Sequence, residues 1–108
     1  MKKSGIVMIL STASAEQAPV IAEELVASGL AACVNILPVQ SVYRWRGKIC
    51  KEGESLMIIK TREENTGSAI NGIKKLHAYE VPEITVLPVI GGHAPYIDWI
   101  IRGTGHPG

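Results

Sequence analysis

Two residues in this chain could hold a soft metal ion, Cys33 and His77. A thiolate selects copper(I) or zinc, and a neutral imidazole suits copper and zinc alike. Glu80 and Glu83 follow His77 closely and could add carboxylate oxygens beside it. The competing readings are structural. A free cysteine in an apolar run is ordinarily a small buried hydrophobe, and a histidine at the end of an apolar helix face is ordinarily a packed, hydrogen-bonded one. Cys and His do not occur here at the paired spacing of a structural zinc site, so no metal is required for folding. Nothing resembles a nucleophile elbow, a Ser-His-Asp set or a Gly-rich phosphate loop, and no enzyme activity is expected.

The second cysteine, Cys50, reads as a surface thiol. If Arg46-Gly47 is a two-residue turn, Cys50 faces Tyr43, ten residues from Cys33 along the strand. That is roughly 30 Å at strand rise, which excludes a bond between the two sulfurs.

These residues must be positioned by a single small domain. The chain has 108 residues, 46% hydrophobic and 19% charged, with a net charge of +1. That balance describes one folded domain with a modest core, and it gives no electrostatic reason to bind nucleic acid or an anionic membrane. There is no Phe, no basic stripe and no RNP-like aromatic pattern, which argues against an RNA-binding sheet. The run Ile6–Leu10 is too short to span a bilayer, and no cleavage-site pattern follows it. A cytoplasmic protein is expected. The domain should occupy residues 1–102, and 103–108 read as a loose tail.

Gly5 to Ser11 has the continuous apolar character of a buried strand. Ser14 and Gln17 form a capping-box pattern ahead of a helix with Ala18, Ile21, Ala22, Leu25 and Val26 on one face and Gly29 at its end. Pro19 places the true first turn near Gln17. Residues 30–37 read as a strand ended or bent at Pro38, and the strand pattern resumes over 39–45. The chain returns over 48–50 and 55–61, so one long hairpin spans about 30–61. Thr66 or Ser68 caps a second helix with Ile70, Ile73, Leu76 and His77 inward. Val81-Pro82 breaks it. Ile84 to Ile90 reads as a buried strand, with Pro88 marking an edge or a bulge. Pro95 opens a short last helix with Tyr96, Trp99 and Ile100.

This order predicts an α+β, ferredoxin-like split βαβ sandwich with an extended β-hairpin and a short C-terminal helix. A hairpin this long outruns its own core. Its outer half, with Tyr43 and Trp45, must stand in water or cover another subunit. Subunit contact is the expectation, because an isolated two-stranded ribbon is marginal in water.

Four stretches together resemble the divalent-cation-tolerance (CutA) family: Leu30–Pro38, Ser41–Ile49, Ile58–Thr61, and His77–Ile84 followed by Leu87-Pro88 and Tyr96–Trp99. They occur in family order and cover nearly the whole chain. The resemblance implies a homotrimer whose long hairpins pair between subunits. It also implies a role in tolerance of copper and other divalent metals through metal binding, and no catalytic reaction. Cys33, His77 and Glu83 are the metal candidates, with copper or another divalent cation as ligand.

Two departures bear on this. Ala78 stands where the family usually has Pro. Ser11 and Leu76 stand where some members carry a cysteine and a second histidine as proposed copper ligands. The architecture is also similar to that of PII signalling proteins, which bind effectors at subunit clefts. In such a cleft Lys60, Tyr79 and Trp99 are the candidates here, though Lys60 also fits as an outward side chain on an alternating strand.

Overall fold

The computed structural model describes residues 4–105. Four strands and three α-helices follow in the order β1 Ile6–Ala13, α1 Gln17–Ala27, β2 Cys33–Trp45, β3 Lys48–Arg62, α2 Thr66–Leu76, β4 Ile84–Pro88 and α3 Ala94–Gly103. The sheet order is β2-β3-β1-β4, and every neighbouring pair is antiparallel. This is the ferredoxin-like α+β arrangement, with β2 and β3 extended beyond the rest of the sheet.

Register explains the layering. Met57 and Ile59 of β3 and Val7 and Ile9 of β1 share a face, which buries Ala18, Ile21 and Leu25 of α1 with Ala69 and Ile73 of α2. Side chains alternate along a strand, so Leu56, Ile58 and Lys60 turn to the opposite face. There they meet Leu37, Asn35 and Cys33 of β2, and Thr12, Leu10 and Met8 of β1. The C-terminal helix α3 covers only one end of that second face. Arg62 fastens it, donating from Nε to Thr104 Oγ1 at 3.2 Å and from its guanidinium to the Ile101 carbonyl.

Local chemistry sets the element ends. Ser14 Oγ accepts the Gln17 N–H at 3.1 Å and the Ser14 carbonyl accepts the Ala18 N–H at 3.0 Å. Pro19 is the third helical residue, where the missing N–H would have had no intrahelical acceptor. After α1, Gly29 takes φ +77°, its N–H reaches the Val26 carbonyl, and the Leu30 N–H reaches the Leu25 carbonyl. This 5→2 and 6→1 pair closes the helix. Arg46 and Gly47 both have positive φ, 50° and 77°, as a two-residue hairpin turn requires.

Several expectations need correction. Pro38 does not end a strand: β2 runs unbroken through it, paired with Ser55. Because β2 is an edge strand of the protomer, the proline's missing donor costs no ladder bond if it points outward. Val26 and Leu76 are exposed rather than inward. The N-cap of α2 is Asn65, and Thr66 is its first helical residue, with a hydroxyl bonded back to the Glu63 carbonyl at 2.7 Å. The fourth strand ends at Pro88, and its last four residues are exposed. Gly103 belongs to α3 and Thr104 is buried, so the chain stays docked past 102. The tail expected over 106–108 lies outside the described residues.

The hairpin makes the molecule long. Its extents are 44 × 31 × 21 Å and its radius of gyration is 14.5 Å, against about 13 Å for a compact domain of this length. Tyr43 pairs with Cys50 and Trp45 with Lys48 near the tip. Trp45 is 60% exposed and Ile49 67%.

Candidate functional site

A broad concavity lies between the middle of the hairpin and the loop 77–83 that joins α2 to β4. It is a cleft of about 950 Å³ whose walls include Glu52, Glu54, Tyr43, Tyr79, Glu80 and Glu83. No lysine, arginine or histidine lines it among the described residues. Four carboxylates in one concavity with no basic side chain in its described lining favour a cation there.

The strand pattern puts the first two there. Glu52 and Glu54 are two apart on β3 and so share a face. Both are tied diagonally to β2. Ser41 Oγ donates to Glu54 Oε2 at 2.6 Å, and Tyr43 OH donates to Glu52 Oε2 at 2.7 Å. The other Glu52 oxygen, Oε1, accepts Tyr79 OH at 3.0 Å from across the cleft. One carboxylate therefore holds two phenols. That hydrogen bond pushes the Tyr43 hydroxyl up to about 12 from 10.0, because ionising the phenol would destroy the bond and set two anions together. Tyr79 is raised for the same first cause.

His77 is buried beneath the loop. Its Nε2 lies 2.7 Å from the Thr12 carbonyl and its Nδ1 accepts the Tyr79 N–H at 3.1 Å. A carbonyl can only accept and an amide can only donate. The ring is thus the neutral tautomer protonated at Nε2, with both nitrogens engaged. Tyr79 also packs its ring on the imidazole, 4.7 Å between centroids.

Cys33 is not near His77. It pairs with Lys60 on β3, which pairs with Met8 on β1. The Thr12 carbonyl that holds His77 is four residues further along β1, about 13 Å, and two strands across. Glu83 reaches the cleft, while its carbonyl accepts Ser11 Oγ at 2.7 Å. One protomer therefore does not bring Cys33, His77 and Glu83 together. Among the described residues no group of three or more Cys, His, Asp or Glu side chains is placed to hold one ion.

The second set also divides. Lys60 Nζ donates to Tyr96 OH at 3.1 Å and lies 5.4 Å from that ring's centre, and Tyr96 stacks on Trp99 at 5.7 Å. Lys60 and Trp99 thus share a cluster, with Tyr96 between them. Tyr79 stands elsewhere, bonded to Glu52, eight residues from Lys60 and about 26 Å along β3. Sequence reasoning passed over Glu52, Glu54, Ser41 and Tyr96. The signal for the first three was present. Ser41 and Tyr43 are two apart, as are Glu52 and Glu54, and the turn at 46–47 sets the two pairs side by side.

An antiparallel four-stranded sheet with this hairpin and this helix order defines a ferredoxin-like protein of the CutA and PII-like class. The model of the CutA1 divalent ion tolerance protein family matches residues 6–102. The chain belongs to that family of divalent ion tolerance proteins.

A divalent-cation tolerance protein CutA of Thermus thermophilus is 41% identical over 100 residues, 92% of this chain and 97% of the relative. The solved structure of a periplasmic divalent cation tolerance protein CutA from Archaeoglobus fulgidus has a TM-score of 0.90 at 39% identity, covering 93% of this chain and 99% of that one. A PII-like protein CutA from Nostoc, solved in apo form, has a TM-score of 0.88 at 33% identity, covering 92% and 97%. Rice and human relatives are longer, and the chain spans 56% and 48% of them.

Proposed function

We propose that this protein acts in divalent metal ion tolerance as a homotrimer that binds the ions, copper among them, and that the acidic cleft is where they are drawn. The observation that carries this reading is the cleft lining, four glutamates with no basic side chain among the described residues. Carboxylate oxygens suit divalent cations, and two of the four are already held in fixed poses by Ser41 and Tyr43. Glu83 keeps its place as a metal candidate. His77 contributes only if the Tyr79 amide gives up Nδ1. Cys33, which pairs with Lys60 six residues along β3 from Glu54, is a separate thiol for copper(I).

The trimer is supported by surface left uncovered. Leu37 and Leu87 on the second sheet face are 39% and 47% exposed, and the hairpin tip shows Trp45 and Ile49. Contiguous exposed apolar surface marks interaction sites. No helix among the described residues is long and apolar enough to cross a membrane, and we place the protein in the cytoplasm.

Copper(II) titration by calorimetry tests the site. Glu54→Gln with Glu83→Gln should weaken binding at least several-fold, more than Cys33→Ser or His77→Ala. Affinity unchanged in the glutamate pair and lost in Cys33→Ser would move the site to the thiol.

A second reading has its own observation. Lys60, Tyr96 and Trp99 form a cation beside a stacked aromatic pair, half-exposed. That grouping suits a small anionic effector at a subunit cleft, the PII-like mode. Binding of such a ligand that is lost in Lys60→Ala and kept in the glutamate pair would favour it.

A further inference from the structure

The loop 77–83 is anchored at both ends, and the Ala78 N–H near the first also reaches Gln17 Oε1 at 3.5 Å. At one end the buried His77 imidazole bonds the Thr12 carbonyl, and the Tyr79 N–H bonds that imidazole. At the other end the Glu83 carbonyl accepts from the buried Ser11. Between these anchors Val81 is 89% exposed. The loop nevertheless forms one wall of the cleft, through Tyr79, Glu80, Val81 and Glu83. The hydrogen bond that crosses from this wall to the hairpin is Tyr79 OH to Glu52 Oε1, and it is exposed to water.

Glu52 is prepared for that contact without the loop. Its other oxygen is held by Tyr43, which sits on the same hairpin, two strand positions away on the diagonal. The carboxylate therefore keeps its pose when Tyr79 leaves. A receiving group held in place, a single reversible bond to it and a loop hinged at two buried anchors together make a latch.

We propose that Glu52 and Tyr79 are this latch, that its closure holds the loop 77–83 against the hairpin, and that its opening admits ligands to the acidic cleft. The second half deepens the cation reading and rests on it. The first half concerns the loop alone.

Amide hydrogen exchange on the full chain separates the two. In Tyr79→Phe, the amides at 79, 80, 81 and 83 should exchange about two- to tenfold faster, the worth of one ordinary hydrogen bond. The amides of β1 and α2 should keep their wild-type rates. Glu52→Ala should reproduce this pattern. Unchanged exchange over 79–83 in both variants would overturn the latch. Acceleration that spreads to β1 would also overturn it, since that would be general loosening.

Gating is read by stopped-flow association of copper(II) with wild type and Tyr79→Phe. Association at least twofold faster in the variant supports gating, and equal rates overturn it. If wild type binds no copper(II) at all, the cation reading fails, and the latch still stands or falls on exchange.

Discussion

Replacing Glu52 by Ala should return Tyr43 to the titration of a free tyrosine. The wild-type phenol is held at about 12 against an ordinary 10.0, and the first cause is its 2.7 Å hydrogen bond to Glu52. Nearby negative charge from Glu52, Cys50 and Glu54 adds smaller contributions of the same sign. Removing the acceptor removes the largest cause and part of the rest, so the midpoint should fall toward 10.0.

The sign of the stability effect follows. A phenol whose folded pKa is raised favours folding fully at pH below its unfolded value. That contribution is lost as pH rises from 10.0 through about 12. Tyr79 acts in the same direction through the same carboxylate. The loss of stability on the alkaline side should therefore be shallower in Glu52→Ala than in wild type. The assay is NMR titration with labelled tyrosine rings, each signal assigned by a Tyr→Phe variant. A Tyr43 midpoint still near 12 in Glu52→Ala would refute the assignment of the shift to this bond.

Three further outcomes are expected. Ile59 is fully buried between β3 and the two helices. Ile59→Ala should cost about 2–5 kcal/mol, read as a lower denaturant midpoint at unchanged slope. Gly47 has φ +77° and nothing within 4 Å of an added Cβ, so Gly47→Val tests backbone strain alone. It should destabilise by about 1–2 kcal/mol in the same assay. Trp45→Ala should weaken the proposed trimer, and sedimentation at nanomolar concentration should show dissociated chains where wild type remains assembled. A fully assembled variant would remove Trp45 from the interface.

Much of the fold could be read from local chemistry. Ser14, Gly29 and the Arg46-Gly47 turn each satisfy a backbone need that is visible in a short window of sequence. Pro38 misled because the penalty for proline depends on which side of the strand carries a neighbour, and sequence does not say that β2 is an edge. Val26 and Leu76 misled because a helical stripe is wider than the surface that covers it.

The site was less legible for a different reason. Tyr79 and Glu52 are 27 residues apart, and they meet because the loop after α2 returns beside the hairpin. No periodicity encodes that meeting. The metal candidates Cys33 and His77 were chosen by side-chain chemistry and by the family resemblance, whereas Cys33 lies on β2 and His77 caps α2 with both ring nitrogens engaged.

Anomalous diffraction at the copper edge from a copper(II)-soaked crystal decides where the ion sits. A peak is expected in the cleft, about 2 Å from carboxylate oxygen of Glu54 or Glu83. A peak at Cys33 Sγ with none in the cleft would contradict it.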